Sequence, residues 1–194
     1  MLQKLFLWME QYSEHKHAKK ILALVAFTES SFFPIPPFVF IIAMLSHEKR
    51  QSWIKLALVG MSFSVLGGIF AYFLGMFFYA TIGAPLIAFY GIQNEVNTLG
   101  ALFKDHVFLT ILAASLSPLP YKVFTISAGL FAVNIWSFVL SSIVGRSLRF
   151  FIVAYIANKY GTKAKKVLLD QQKNVTYIFL VLIVVGILWY VLKT

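Results

Sequence analysis

Between Trp53 and Ala80 the chain runs for 28 residues with a single charged side chain, Lys55, at its start. A helix needs about 20 apolar residues to cross the roughly 30 Å hydrocarbon core of a bilayer. This stretch has them, and four more apolar stretches accompany it: Ile21–Ser46, Val107–Val133, Ile135–Ala157 and Val175–Leu192. Of 194 residues, 60% are apolar and 12% charged, about half the charged share of a soluble domain. A soluble domain of this length has too little interior for that much apolar surface. A soluble enzyme and a disordered chain are both excluded, and the fold class is an all-α polytopic membrane protein.

Two of the five stretches are broken by proline. The first break is Pro34-Ile35-Pro36-Pro37 and the second Pro118-Leu119-Pro120. Proline removes a backbone donor and stops the helix behind it. From Ile21 to Thr28 a helix rises only about 12 Å, less than half the hydrocarbon thickness. Residues 21–46 and 107–133 are therefore expected to be re-entrant helical hairpins, with kinked spanning helices as the alternative. Residues 53–80, 135–157 and the last stretch, within a C-terminal region 161–194 that also holds a basic loop, are expected to span. Residues 1–20 read as an interfacial amphipathic helix, with Leu2, Leu5, Phe6, Trp8, Met9 and Tyr12 on one face, or else as a frayed tail. They have no clean apolar core or cleavage site of the secretory type.

The net charge is +10, and its placement speaks to topology rather than to nucleic acid. With both broken stretches re-entrant, one side of the membrane collects Lys4, Lys16, Lys19, Lys20, Lys49, Arg50, Lys55, Lys159, Lys163, Lys165, Lys166 and Lys173. The other side holds Lys104 and Lys193. If both stretches span, the split is ten against four. The bias favours hairpins and places the N-terminus in the cytoplasm and the C-terminus outside.

The two breaks also align without gaps. Residues 34–42, Pro-Ile-Pro-Pro-Phe-Val-Phe-Ile-Ile, match residues 118–126, Pro-Leu-Pro-Tyr-Lys-Val-Phe-Thr-Ile, at an offset of 84. Each match precedes a stretch opened by tryptophan, Trp53 or Trp136. With hairpin topology this is an inverted repeat, whose broken helices meet near the midplane as in many transporters. Gly60, Gly68 and Gly75 lie on one face of the stretch from Trp53 and read as a helix-packing surface.

Four ionisable residues interrupt the apolar stretches: Glu29, Lys122, Arg146 and Arg149. Charge inside a membrane is costly and marks a functional candidate. Glu29 precedes the first break. Burial favours its neutral form and nearby cations its charged form, which suits it to exchange a proton; the structural alternative is a static partner for an arginine. Arg146 and Arg149 are one turn apart on one helix face. If the repeat brings all four together, three positive charges face one negative charge, and an anion is expected to complete the site. Paired guanidinium groups fit phosphate, so the expected partner is an anionic membrane lipid. In the competing reading, an arginine only caps carbonyls at a broken helix.

No metalloprotease, nucleophile-elbow, P-loop or nucleic-acid motif occurs. The four histidines, His15, His17, His47 and His106, lie outside the apolar stretches without metal-ligand spacing, and there is no cysteine. No enzyme activity, metal or cofactor is expected, and a homo-oligomer is left open.

Taken together, Glu29–Pro37, Gly67–Gly75, Ser117–Gly129 and Gly145-Arg146 resemble the DedA family, the VTT-domain or SNARE-associated superfamily, and within it the YqaA-like branch. The likeness covers roughly residues 20–160. It implies an inner-membrane protein that moves lipids as a flippase or scramblase, with undecaprenyl phosphate or a phospholipid as cargo and with coupling to the proton-motive force. The family's first-hairpin acid corresponds to Glu29 and its second-hairpin basic residue to Lys122. The chain departs from the pattern at Phe38, where many members carry a second acid, and at Ser115-Leu116-Ser117, where many carry an arginine. The alternatives are a proton-coupled transporter of a small anion or drug and a non-transporting membrane organising factor.

Overall fold

A computed structural model describes residues 12–13, 15–33, 35–46, 51–117 and 120–161. Most of the expected interfacial helix, the prolines Pro34 and Pro118, and the C-terminal region beyond Gly161 lie outside the described residues. Those described form helices and no strand: α1 Ala18–Ser31, α2 Pro37–Ser46, α3 Trp53–Phe78, a π-helical turn Tyr79–Gly83, α4 Ala84–Tyr90, α5 Gln93–Asp105, α6 Val107–Leu116, α7 Tyr121–Leu130 and α8 Ile135–Tyr160.

The two long helices begin at side-chain caps. Ser52 accepts from the Lys55 amide, and Asn134 accepts from the amides of Trp136 and Ser137, which satisfies donors that a helix start leaves free. Trp53–Tyr90 and Ile135–Tyr160 are each long and apolar enough to cross a membrane. A third candidate is the pair Val96–Asp105 and Val107–Leu116, bent by 84° at His106. The first of these runs ten residues past Ala80, where the sequence placed its end. The helix runs past Pro85 by widening one turn. The proline has no amide to offer its own helical acceptor, and the path widens so that the Ala84 amide bonds the Tyr79 carbonyl five residues back. Helix α5 lies in a region to which the sequence assigned no element. Its Val96, Leu99 and Phe103 fall one or two turns apart, between Asn94, Asn97 and Thr98.

Two groups of three helices pack on each other by exchange. Helix α1 lies on α3, and α6 lies on α8; α7 also crosses to α3, and α2 to α8. The offset of 84 carries α2, residues 37–46, onto α7, residues 121–130. It also carries Ser31 onto Ser115, and each of these hydroxyls donates to the carbonyl four residues back.

Glycines permit these approaches. A Cβ on Gly67 would strike the Phe27 carbonyl of α1, and one on Gly75 the Ile126 carbonyl of α7. On Gly68 it would press on Tyr121, on Gly60 on Phe150, and on Gly129 on the Tyr72 carbonyl. The face carrying Gly60, Gly68 and Gly75 is thus in contact with neighbours, and Gly67, outside that stripe, serves α1.

Apolar packing forms two clusters. One contains Leu22, Phe40, Ile41, Met44, Leu56 and Phe150; the other contains Tyr72, Ile111, Tyr121, Ala128 and Phe138. Along both long helices a polar layer separates them: Ser64 on α3, and Ser141, Ser142 and Arg146 on α8, all buried. The outer faces are the reverse of those of a soluble protein. Leu66, Phe70, Phe73 and Phe77 form an exposed stripe on α3, and Trp136 and Leu140 stand exposed on α8. Such continuous apolar exposure is what hydrocarbon contact requires.

Candidate functional site

Helix α1 ends at the first proline break, and Glu29 and Ser30 occupy its last turn. Ser30 is fully buried, while the Glu29 side chain keeps 19% exposure. Facing them from the middle of α8 is Arg146, with only 2% of its side chain exposed. Gly145, beside it, lets α6 approach so closely that an added Cβ would meet Ser115. One Arg146 nitrogen, Nη2, donates to Glu29 Oε2 at 3.3 Å and to Ser30 Oγ at 3.1 Å. Its guanidinium lies over the Tyr121 ring, 3.8 Å from the centroid, a cation–π contact strengthened by desolvation.

Hydroxyls complete the shell. Ser30 Oγ reaches Glu29 Oε2 at 3.1 Å and Ser64 Oγ at 2.7 Å. Tyr121 donates to Ser142 Oγ at 2.6 Å, and Ser142 donates to the Phe138 carbonyl at 2.7 Å. Arg146 Nε is buried, and among the described residues no hydrogen-bond partner reaches it. A charged donor left so is costly and marks a place where an acceptor would be welcome.

One turn along α8, Arg149 Nη1 donates to the carbonyls of Ser115 at 3.2 Å and Ser117 at 3.1 Å. These belong to the C-terminal end of α6, where carbonyls lack helical partners and the helix dipole is negative. The Arg149 guanidinium also lies 5.6 Å from the Phe38 ring centroid. Glu29, Arg146 and Arg149, with Pro37, Phe38, Phe150 and Val153, line one narrow cleft of about 10 Å³, at the lower limit for one water.

Three of the four expected charges therefore come together. Lys122 does not line this cleft. It follows Tyr121 on α7, about 100° around the helix, and Tyr121 takes the inward position against Arg146. The balance in the cleft is two positive charges against one negative, with the carbonyl end of α6 set against Arg149. Of the proline breaks, Pro37 reaches the cleft wall, Pro36 precedes α2, and Pro120 caps α7. Ser30, Ser64, Tyr121 and Ser142 are site residues that sequence reasoning missed. Among the described residues no three His, Asp or Glu side chains cluster as metal ligands would.

Fold and site define an all-helical membrane protein with a buried charge pair between two broken helix pairs. A Haemophilus influenzae protein, named only as uncharacterized, is 36% identical over 161 residues, covering 80% of this chain and 82% of its own length. A Histophilus somni protein, also named as uncharacterized, is 31% identical over 180 residues, 93% of this chain and 92% of its own. The chain belongs to the family that these two proteins represent. No family model matches it, and no solved structure does.

Proposed function

We propose that this protein is a lipid transporter of the DedA type, which moves an anionic membrane lipid, undecaprenyl phosphate or a phospholipid, across the bacterial inner membrane. The observation that carries the reading is the unmatched charge of the cleft: Arg146 and Arg149 against Glu29, beside the first proline break. In this reading α1–α2 and α6–α7 are re-entrant hairpins of opposite orientation, the N-terminus is cytoplasmic and the C-terminus outside. The exchanged packing of the two halves supports the repeat. Arg149 supports the phosphate site in another way: from α8 it brings positive charge to Ser115 and Ser117, where many DedA members carry an arginine of their own.

In this reading the working cycle begins at these contacts. At about 10 Å³ the cleft excludes a phosphate, so Pro37 and Phe38 must swing from Arg149 and Phe150 to admit one. Protonation of Glu29 would release Arg146 Nη2 for the headgroup, and deprotonation would recapture it and expel the anion, which couples cargo to protons. Lys122 is left outside this step.

A second reading, a non-transporting membrane organising protein, draws on the small cleft and on the carbonyl partners of Arg149. Reconstitution separates the two. Proteoliposomes should move a fluorescent polyprenyl phosphate or phosphatidylglycerol faster than a neutral analogue with the same tail. Glu29→Gln and Arg146→Ala should lose that difference. No movement above protein-free vesicles, with folded protein present, would favour the organising reading. Equal movement of charged and neutral lipids would remove the phosphate site. Competition by a water-soluble anion would point to a small-anion transporter.

A further inference from the structure

A second cavity, of about 320 Å³, lies at the other end of the molecule and shares no residue with the cleft. Its walls include Met76 at the end of α3 and Tyr79 at the start of the π-helical turn, Asn97 and Lys104 on α5, and Phe131 and Ala132 just past α7. Its size falls within the range of small-molecule sites. Helix α5 forms one wall of it and packs on Phe131: a Cβ on Gly100 would come within 3.0 Å of that ring, and Phe103 meets it at a centroid distance of 5.7 Å.

Two backbone irregularities lie in its walls and a third follows two residues beyond one wall residue, Lys104. The π-helical turn starts at Tyr79, and single π turns inside helices gather at functional sites. Ala132 is held at a φ of 47°, the left-handed region, among the described residues the single non-glycine there. That conformation costs an alanine about 1–2 kcal/mol and persists only where its surroundings impose it. The chain turns by 84° at His106, two residues after Lys104. The first accompanies Pro85, and the second closes α7, where the Val133 amide bonds the Ala128 carbonyl; both leave their turns on the cavity wall.

The walls specify the occupant. Met76, Phe131 and neighbouring aliphatic groups suit hydrocarbon, whereas Asn97 and the Lys104 ammonium supply donors at the rim. Leu99 and Leu102 of α5 stand 56% and 58% exposed, as on a helix lying in a membrane interface. We propose that this cavity binds one acyl chain of an anionic phospholipid, with Lys104 on the headgroup phosphate. The proposal rests on the membrane setting and not on the transport reading.

The full chain in nanodiscs containing phosphatidylglycerol or phosphatidylcholine, each with a diazirine on the acyl chain, provides the test. Mapped crosslinks should concentrate on residues 76–79 and 130–132, with phosphatidylglycerol ahead. Lys104→Gln should reduce that preference about fivefold. Ala101→Trp, which fills the cavity, should abolish these crosslinks and leave those around Trp136; Val96→Phe serves if that variant does not fold. Arg146→Ala should leave the crosslinks intact even where it stops transport, so failure here and failure of the transport reading are distinguishable. Crosslinks spread in proportion to exposed apolar surface, insensitivity to the filling substitutions, or equal capture of the two lipids would overturn the proposal. Displacement by excess glycerol phosphate would also overturn it, by assigning the site to a free phosphate ester.

Discussion

Glu29→Gln should destabilise the fold more than Arg146→Met, although the arginine is the larger and more buried residue. Exposure decides the order. Arg146 keeps 2% of its side chain in contact with solvent and Glu29 keeps 19%. Breaking a buried ion pair by removing one partner costs about 3–5 kcal/mol, because the other charge stays buried. In Glu29→Gln the stranded charge is Arg146. An amide oxygen still accepts from Nη2, which brings the expected cost to about 2–3 kcal/mol. In Arg146→Met the buried charge itself disappears, the stem is replaced in kind, and Glu29 retains partial solvation and the Ser30 hydroxyl. The losses are the contact with Tyr121 and the hydrogen bond to Ser30, whose hydroxyl keeps Glu29 and Ser64 as partners, and the net cost should stay within about 1 kcal/mol. The double variant should return to within about 1 kcal/mol of the parent. At about 2–4 °C per kcal/mol for a chain of this length, Glu29→Gln should lower Tm by roughly 4–12 °C and the others by no more than about 4 °C. Thermal unfolding of the purified protein in one detergent, at fixed salt and pH, reads all four forms. A larger loss in Arg146→Met than in Glu29→Gln, or strict additivity in the double variant, would refute the reasoning.

Gly75→Ala should lower Tm by several degrees, about 1–3 kcal/mol, because its neighbour is the Ile126 backbone rather than a movable side chain. Arg149→Gln should cost about 1–2 kcal/mol and speed amide hydrogen exchange in residues 111–117, with Arg149→Lys in between. Tyr121→Phe should cost only about 1 kcal/mol, since Ser142 keeps its bond to Phe138 and the ring stays over Arg146. Tyr121→Leu, which removes the ring face as well, should cost more in the same melting assay.

The long helices from Trp53 and Ile135 were legible because nothing but an apolar environment accommodates such runs, and the breaks were legible because proline has so few places in a helix. The far end of the first run was not. Pro85 reads as a helix stop, and here the chain passes it by widening one turn. Helix α5 escaped for a different reason: its thirteen residues mix Leu99 and Phe103 with Asn94 and Asp105, too polar for a span and too short to declare a period. In the site, Glu29, Arg146 and Arg149 announced themselves as charges amid apolar residues. The hydroxyls did not. Ser115 bonds its own helix four residues back, as hydroxyls in membrane helices generally do, whereas Ser30 bridges Glu29, Arg146 and Ser64. Their sequence surroundings do not differ in any way that separates those roles. Lys122 was the reverse case: its charge drew attention that belonged to the aromatic residue before it.

Because α2 lies on α8 and α7 on α3, neither half of the chain finishes its own surface. Ser46 and Ile135 are separated by 89 residues, roughly 5–20 s of ribosomal elongation. For that interval the nascent first half holds Glu29 without its arginine, and until Ile126 emerges Gly75 faces an unfilled groove. Completion therefore comes from the C-terminal side, and a product truncated before Val107 carries an unpaired carboxyl and an uncovered glycine face into the bilayer.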